Sequence, residues 1–276
     1  MENILEVKNI CKTYQAKNGE IEALKDINFK IEEGEYVSII GPSGCGKSTL
    51  LSIIAGLENK TSGTTYINGK IGYMLQKDNL LEWRTVLNNV FLGLEIQRSN
   101  TPENKKYVIE LLKKYGLYEF KDKYPNQLSG GMRQRVALIR TLAIKPKILL
   151  LDEAFSALDY QTRLMVTEDI YKILKNEGIT ALMVTHDISE AIAMSDKIVV
   201  LTHRPAKIKA IIIVICVNKI SNFLILIFLM YFFLSLEIFS LLFFCFISFA
   251  HLFIFCYFFL LFLSHLVHST SCQNIY

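Results

Sequence analysis

Glycine and proline run out before this chain ends. All 14 glycines and all 5 prolines precede Ala210. From Ala210 to Tyr276 the only Asp, Glu, Lys or Arg residues are Lys219 and Glu237, while 14 of the 18 phenylalanines fall there. The 276 residues therefore form two unlike pieces, whose average composition describes neither. Cysteine is also sparse in pattern: Cys11, Cys45, Cys216, Cys245, Cys256 and Cys272 make no C-x-x-C pair and no metal-ligand spacing with histidine. Reduced thiols in a cytosolic setting are expected. Lysines are scattered, not gathered into a stripe, and the net charge is only +4, so nucleic acid is not expected as a partner. The N-terminus, MENILEVKNICKTY, has no apolar signal region, so export by that route is not expected.

What the first piece does contain is Gly41 to Thr49, GPSGCGKST. It fits G-x-x-x-x-G-K-[ST] with Gly41, Gly46, Lys47 and Ser48 at the fixed positions. Glycines let the backbone wrap so that N–H groups point at phosphate oxygens, and the following helix adds its positive end. Lys47 can reach the outer phosphates and Ser48 can hold Mg²⁺. The flanks suit the motif. Tyr36 to Ile40 is a short β-branched run, as a buried strand should be, and Leu50 to Gly56 reads as a helix closed by a glycine.

The rest of the first piece alternates in the same way. Ile4–Tyr14 and Glu22–Ile31 alternate like antiparallel strands around a turn at Asn18-Gly19. Thr64–Gly69 and Ile71–Met74 are short strands leading to Gln76. Leu80 to Gln97 follows, with Val86, Leu87, Val90, Phe91 and Leu94 at helical spacing, and Thr101-Pro102 opens another helix through Tyr115. This stretch predicts a small helical subdomain inserted into the sheet domain. In NQLSGGMRQRVALIR, Ser129 lies in a glycine loop before good helix formers, a second helix start able to hold an anion. Ile148–Leu151 is a continuous apolar run ending in Asp152-Glu153. Two acids there need partners: either a structural ion pair, or Asp152 on Mg²⁺ and Glu153 as base for a water. A helix through Lys175 follows. Thr180–Val184 is a second apolar strand, ending at Thr185-His186-Asp187, where His186 can donate to a phosphate. Lys197–Thr202 is a further strand. Tyr14, at the end of its strand, is either an ordinary strand tyrosine or a platform for a purine ring.

Together, the phosphate loop, Gln76, LSGGM, ILLLDE, SALD and His186 resemble the ATP-binding subunit of an ABC transporter over residues 1 to about 208. LLEWRTVLNNV, DEAFSALDYQTR and VTHDISEAIAMSDKIVVLTHRPAKI are similar to the nitrate, sulfonate and taurine importer group, with Glu82 and Ala154 where that group often has proline. The resemblance implies an α/β fold: a RecA-like P-loop NTPase core, an antiparallel β subdomain, and an inserted helical subdomain at about 77–143. It implies that Tyr14 stacks on adenine, and that Gly41, Ser43, Gly44, Cys45, Gly46, Lys47, Ser48 and Thr49 bind phosphates. Ser48, Gln76 and Asp152 would attend Mg²⁺. Gln76, Glu153 and His186 would serve the attacking water and the γ-phosphate. Ser129, Gly130 and Gly131 would reach ATP held by a second ATPase subunit in a head-to-tail dimer. Permease subunits in the membrane, with an extracytoplasmic binding protein behind them, are the implied partners. The implied location is peripheral, on the cytoplasmic face. Cys45, beside Lys47 and a helix start, is expected to be reactive, with alkylation blocking ATP binding.

The second piece, from about 209, does not fit that family. Ile238 to Leu263 is apolar except for serines, an alanine and His251, and exceeds the roughly 20 residues that cross a bilayer. Ser221 to Leu236 offers a shorter second span. Either the tail is a membrane hairpin that tethers the ATPase, or it is a reading-frame error in AT-rich sequence; its thymine-codon composition favours the error. Two further readings stand beside an importer ATPase: a non-transport ABC ATPase, which usually carries two cassettes or long inserted arms, and an inactive product of a damaged gene.

Overall fold

The structure is a computed structural model. It describes residues 2–16, 19–156 and 158–214. The expected tail spans and the Asn18 half of the first turn lie outside the described residues.

Two sheets organise the described residues. β1 (Asn3–Ala16) pairs antiparallel with β2 (Gly19–Glu32) on one side and with β4 (Ser62–Ile67) on the other. The larger sheet has the order β5-β6-β7-β3-β8-β9. Its strands β5 (Ile71–Met74), β6 (Ile148–Asp152), β7 (Thr180–Val184), β3 (Tyr36–Ile40) and β8 (Lys197–Leu201) run parallel. Only β9 (Ile208–Ile213) is antiparallel, along β8. That edge strand carries the sheet across the composition break.

The unbroken apolar runs have a packing reason. On β6, Ile148 and Leu150 face one core with β1, β2 and the helix α1 (Lys47–Ile54). Leu149 and Leu151 face a second core made with the longer helices. A strand covered on both faces has no position left for a polar alternation. β7 divides likewise: Leu182 and Val184 face the first core, Ala181 and Met183 the second.

The second core is closed by α2 (Val86–Ile96), α3 (Pro102–Lys114), α4 (Gly130–Leu142) and α5 (Tyr160–Asn176). Their starts are set by side chains that satisfy otherwise orphaned N–H groups. Thr85, Thr101, Ser129 and Asp159 each accept from the backbone N–H three residues on. Pro102 stands at the first position of α3, where its missing N–H costs nothing. The short α6 (Ile188–Met194) is capped by Asp187, which accepts from Ser189 and Glu190.

The residues at helical spacing, Val86 to Leu94, do form a helix, which begins at Val86 itself, while Leu80 to Thr85 ahead of it are not helical. Asn89 is fully buried: its Oδ1 accepts from Leu81 N–H at 2.8 Å, and its Nδ2 donates to the carbonyls of Leu81, Arg84 and Thr85. Those bonds hold the preceding residues in an irregular loop. Among the described residues no helix is long and apolar enough to cross a membrane.

Candidate functional site

The C-terminal ends of β3, β6 and β7 lie side by side, because these strands are parallel and adjacent. Whatever follows each strand therefore emerges on one edge, the edge where open α/β sheets bind ligands. β3 releases the glycine loop, β6 releases Glu153 directly after Asp152, and β7 releases Thr185-His186. β5 is next along and leads to Gln76.

The loop Gly41–Gly46 wraps toward the start of α1. Gly44 and Gly46 hold φ of +71° and +123°, conformations that favour glycine. A side chain on Gly46 would also lie 2.9 Å from a Leu24 methyl. Lys47 is buried, and its ammonium donates to the carbonyls of Gly41 at 2.9 Å and Pro42 at 3.1 Å. A buried ammonium held by neutral carbonyls of a loop is placed to exchange them for an anion.

Ser48 and Asp152 face each other: the Ser48 hydroxyl donates to Asp152 Oδ1 at 2.9 Å. Tyr73 donates to the other oxygen, Oδ2, at 3.3 Å. Burial pushes the Asp152 carboxyl up, against the two hydrogen bonds, which favour its ionised form. Tyr73 is itself pushed up to about 12, first by burial and then by the Asp152 charge. Sequence reasoning missed Tyr73, because a tyrosine inside an apolar strand reads as core; its position on β5, register-paired with Leu150 of β6, is what brings it to Asp152.

Glu153 sits in the left-handed region at φ +46°, rare for a residue with a side chain. Its backbone N–H donates to Val184 O at 2.9 Å, tying the two strand ends together. Its carboxylate lies 3.5 Å from His186 Nδ1. Held strain of this kind is a feature of functional sites. Gln76 Nε2 donates to Ser156 Oγ at 3.1 Å, so the residue after β5 meets the loop after β6. Tyr14 is exposed, with its hydroxyl 3.5 Å from Thr49 Oγ1 and the Lys12 ammonium 4.6 Å from its ring centre.

Four expected residues stand apart. Ser129 caps α4, and the space at Gly130 and Gly131 is bounded by Leu158 and Val166 rather than by the phosphate loop. Cys45 lies in the loop, but its side chain is buried in the first core. Its sulfur packs close to Gly41, where a Cβ would approach it to 3.2 Å. This burial corrects the expectation of an accessible reactive cysteine.

Comparison with known proteins gives a consistent result. The family model described as "ABC transporter" matches residues 24–156. The chain is 48% identical to the uncharacterised ABC transporter ATP-binding protein YtlC of Bacillus subtilis over 217 residues, covering 76% of this chain and 84% of that protein. It is 41% identical to the nitrate import ATP-binding protein NrtD of Synechocystis, over 74% of this chain and 80% of NrtD. It is 40% identical to the aliphatic sulfonates import ATP-binding protein SsuB of Bacillus cereus, over 75% and 84%. Among solved structures, the ATP-binding cassette MJ0796, a dimer in a post-hydrolysis state bound to ADP and Pi, superposes with a TM-score of 0.65 at 36% identity. That match covers 77% of this chain and 99% of MJ0796.

Proposed function

We infer the function from a plain premise: this chain belongs to the ABC transporter ATP-binding proteins. It is the ATP-binding, ATP-hydrolysing subunit of an ABC importer, and works as a dimer with membrane permease partners. The observation that carries the reading is the meeting of Lys47, the Ser48–Asp152 pair and the Glu153–His186 pair on one sheet edge.

Roles follow from chemistry. The loop N–H groups from Gly41 to Thr49, Cys45 included, would cradle the phosphates, and Lys47 would leave its carbonyls for the outer phosphates. The hydroxyl of Ser48 and the carboxylate of Asp152 are hard oxygen donors already within hydrogen-bonding distance, which suits Mg²⁺, with the Gln76 carbonyl as a further oxygen. When bound, Mg²⁺ neutralises charge on the phosphates. Glu153 would orient and deprotonate the attacking water, a contribution of about 10²–10⁴ in rate. His186 would hold the γ-phosphate beside it. Lys12 covers one face of Tyr14, leaving the opposite face for adenine.

Ser129, Gly130 and Gly131 would complete the site of the other subunit, so that two ATP molecules lie between two chains placed head to tail. In support, the space at Gly130 and Gly131 is bounded by Leu158 and Val166 of the same chain. We further propose a peripheral position on the cytoplasmic face, an extracytoplasmic binding protein behind the permease, and an ATPase unit over about residues 1–208, whose edge strand β9 extends to Ile213.

The transported solute is proposed as a small oxyanion of the nitrate, sulfonate or taurine kind, after the names of NrtD and SsuB. Uptake of nitrate and of aliphatic sulfonates, taurine included, tests this in cells with the gene removed. One uptake should be lost and restored by the wild-type gene; undiminished uptake of all of them contradicts the proposal.

A further inference from the structure

We propose that Arg204 is a positioning residue for the phosphate loop, so that the hairpin between β8 and β9 sets how tightly a nucleotide is gripped. The proposal rests on the phosphate-loop reading above. Arg204 is exposed, yet its Nη2 donates to the carbonyl of Gly44 at 2.5 Å, across 160 residues of sequence. A charged donor to a backbone carbonyl is among the stronger hydrogen bonds.

The carbonyl it holds matters. The peptide joining Gly44 to Cys45 is planar, so fixing the Gly44 oxygen fixes the direction of the Cys45 N–H. That N–H donates to Pro42 O at 3.2 Å here, inside the turn where phosphate oxygens would sit. Gly44 has no side chain to restrain it and holds φ +71°. Without Arg204 the Gly44 carbonyl loses its charged donor, and more of the ordering of this peptide falls to the ligand as a cost on binding.

The base from which Arg204 reaches is rigid. Thr202 N–H donates to Lys207 O at 2.9 Å, and Lys207 N–H donates to Thr202 Oγ1 at 3.0 Å. Ala206 is fully buried and exchanges backbone hydrogen bonds with β2, donating to Ala23 O and accepting from Lys25 N–H. The same part of β2 presses Leu24 against Gly46 at the other end of the loop. Hairpin, β2 and phosphate loop thus form one braced unit, in which Arg204 holds the Gly44 carbonyl while Lys47 holds those of Gly41 and Pro42.

The test is titration of the full chain with a fluorescent ADP, beside steady-state ATP turnover, for wild type, Arg204→Ala, Arg204→Lys and Lys47→Ala. Arg204→Ala should weaken ADP binding and raise KM about 3–10-fold, with kcat changed by less than about twofold. Arg204→Lys should recover part of the loss, since lysine keeps a charged donor without the planar fork. Wild-type ADP affinity in Arg204→Ala overturns the proposal. So does a fall in kcat and melting temperature with KM unchanged, which would mark a merely structural role. If Arg204→Ala fails to fold, wild-type affinity in Arg204→Lys overturns it in the same way. Lys47→Ala separates the two levels. Should it bind ADP like wild type, the phosphate-loop reading itself fails; should it lose binding while Arg204→Ala does not, only the role of Arg204 fails.

Discussion

Glu190 is buried with one carboxylate oxygen, Oε1, unpartnered and the other accepting from Thr185. Burial pushes its carboxyl up, against the Thr185 hydrogen bond and the nearby Arg163 and His186. The folded state therefore holds this proton more tightly than the unfolded chain. Above the ordinary glutamate value of about 4.3, the native state binds more protons than the unfolded state, so stability falls as pH rises through that window. Glu190→Gln removes the titration. Urea midpoints measured across that window should decline less with pH for the variant; equal slopes contradict the account. Cys45 shows the limit of reading neighbours in sequence. Lys47 and a helix start stand beside it, and from these a reactive thiol was expected. The turn at Pro42–Cys45 instead sends the sulfur inward, and only tertiary packing reveals that. A maleimide should label Cys45 slowly in native protein and rapidly after urea. Rapid native labelling, blocked by ATP, contradicts the burial.

At the scale of elements, caps and periods were legible and irregular backbone was not. The Thr-Pro start of α3 and the period of α2 are in the letters of the sequence. The loop before α2 depends on one buried amide, whose four bonds compete with helix formation. Nothing in the sequence around Asn89 marks it as different from Asn88. Asn89→Ala leaves backbone groups of Leu81, Arg84 and Thr85 without that partner, and should cost about 2–4 kcal/mol in urea unfolding. A change below about 0.5 kcal/mol would mean the loop holds itself. Beside that loop, Arg133 of α4 forks onto Asp78 and also pairs with Glu82, while Arg140 donates to the carbonyls of Asp78 and Asn79. The Asp78 and Arg133 contacts favour the ionised carboxylate and hold the Asp78 carboxyl below its usual range despite burial. Glu82, where importers of the resembled group often have proline, thus has a partner within this chain.

For the whole molecule, the strands could be found one by one, but their neighbours could not. β3 lies between β7 and β8, strands more than 140 residues later in the chain, and that order alone brings Lys47, Asp152, Glu153 and His186 to one edge. Motif order made the family legible, because the spacing of the motif letters reflects a site that folding assembles. Tyr73 and Arg204 stayed hidden, since their roles depend on which strand or loop faces them. The proposed chemistry turns on hydrolysis of ATP by a water that Glu153 activates, and the direct measurement is phosphate release from Mg-ATP by wild type and by Glu153→Gln, with ATP binding measured on the same samples. The variant should bind ATP as wild type does and release phosphate about 10²–10⁴-fold more slowly. Wild-type turnover by a pure Glu153→Gln protein would remove Glu153 from the reaction, and with it the mechanism argued for this site.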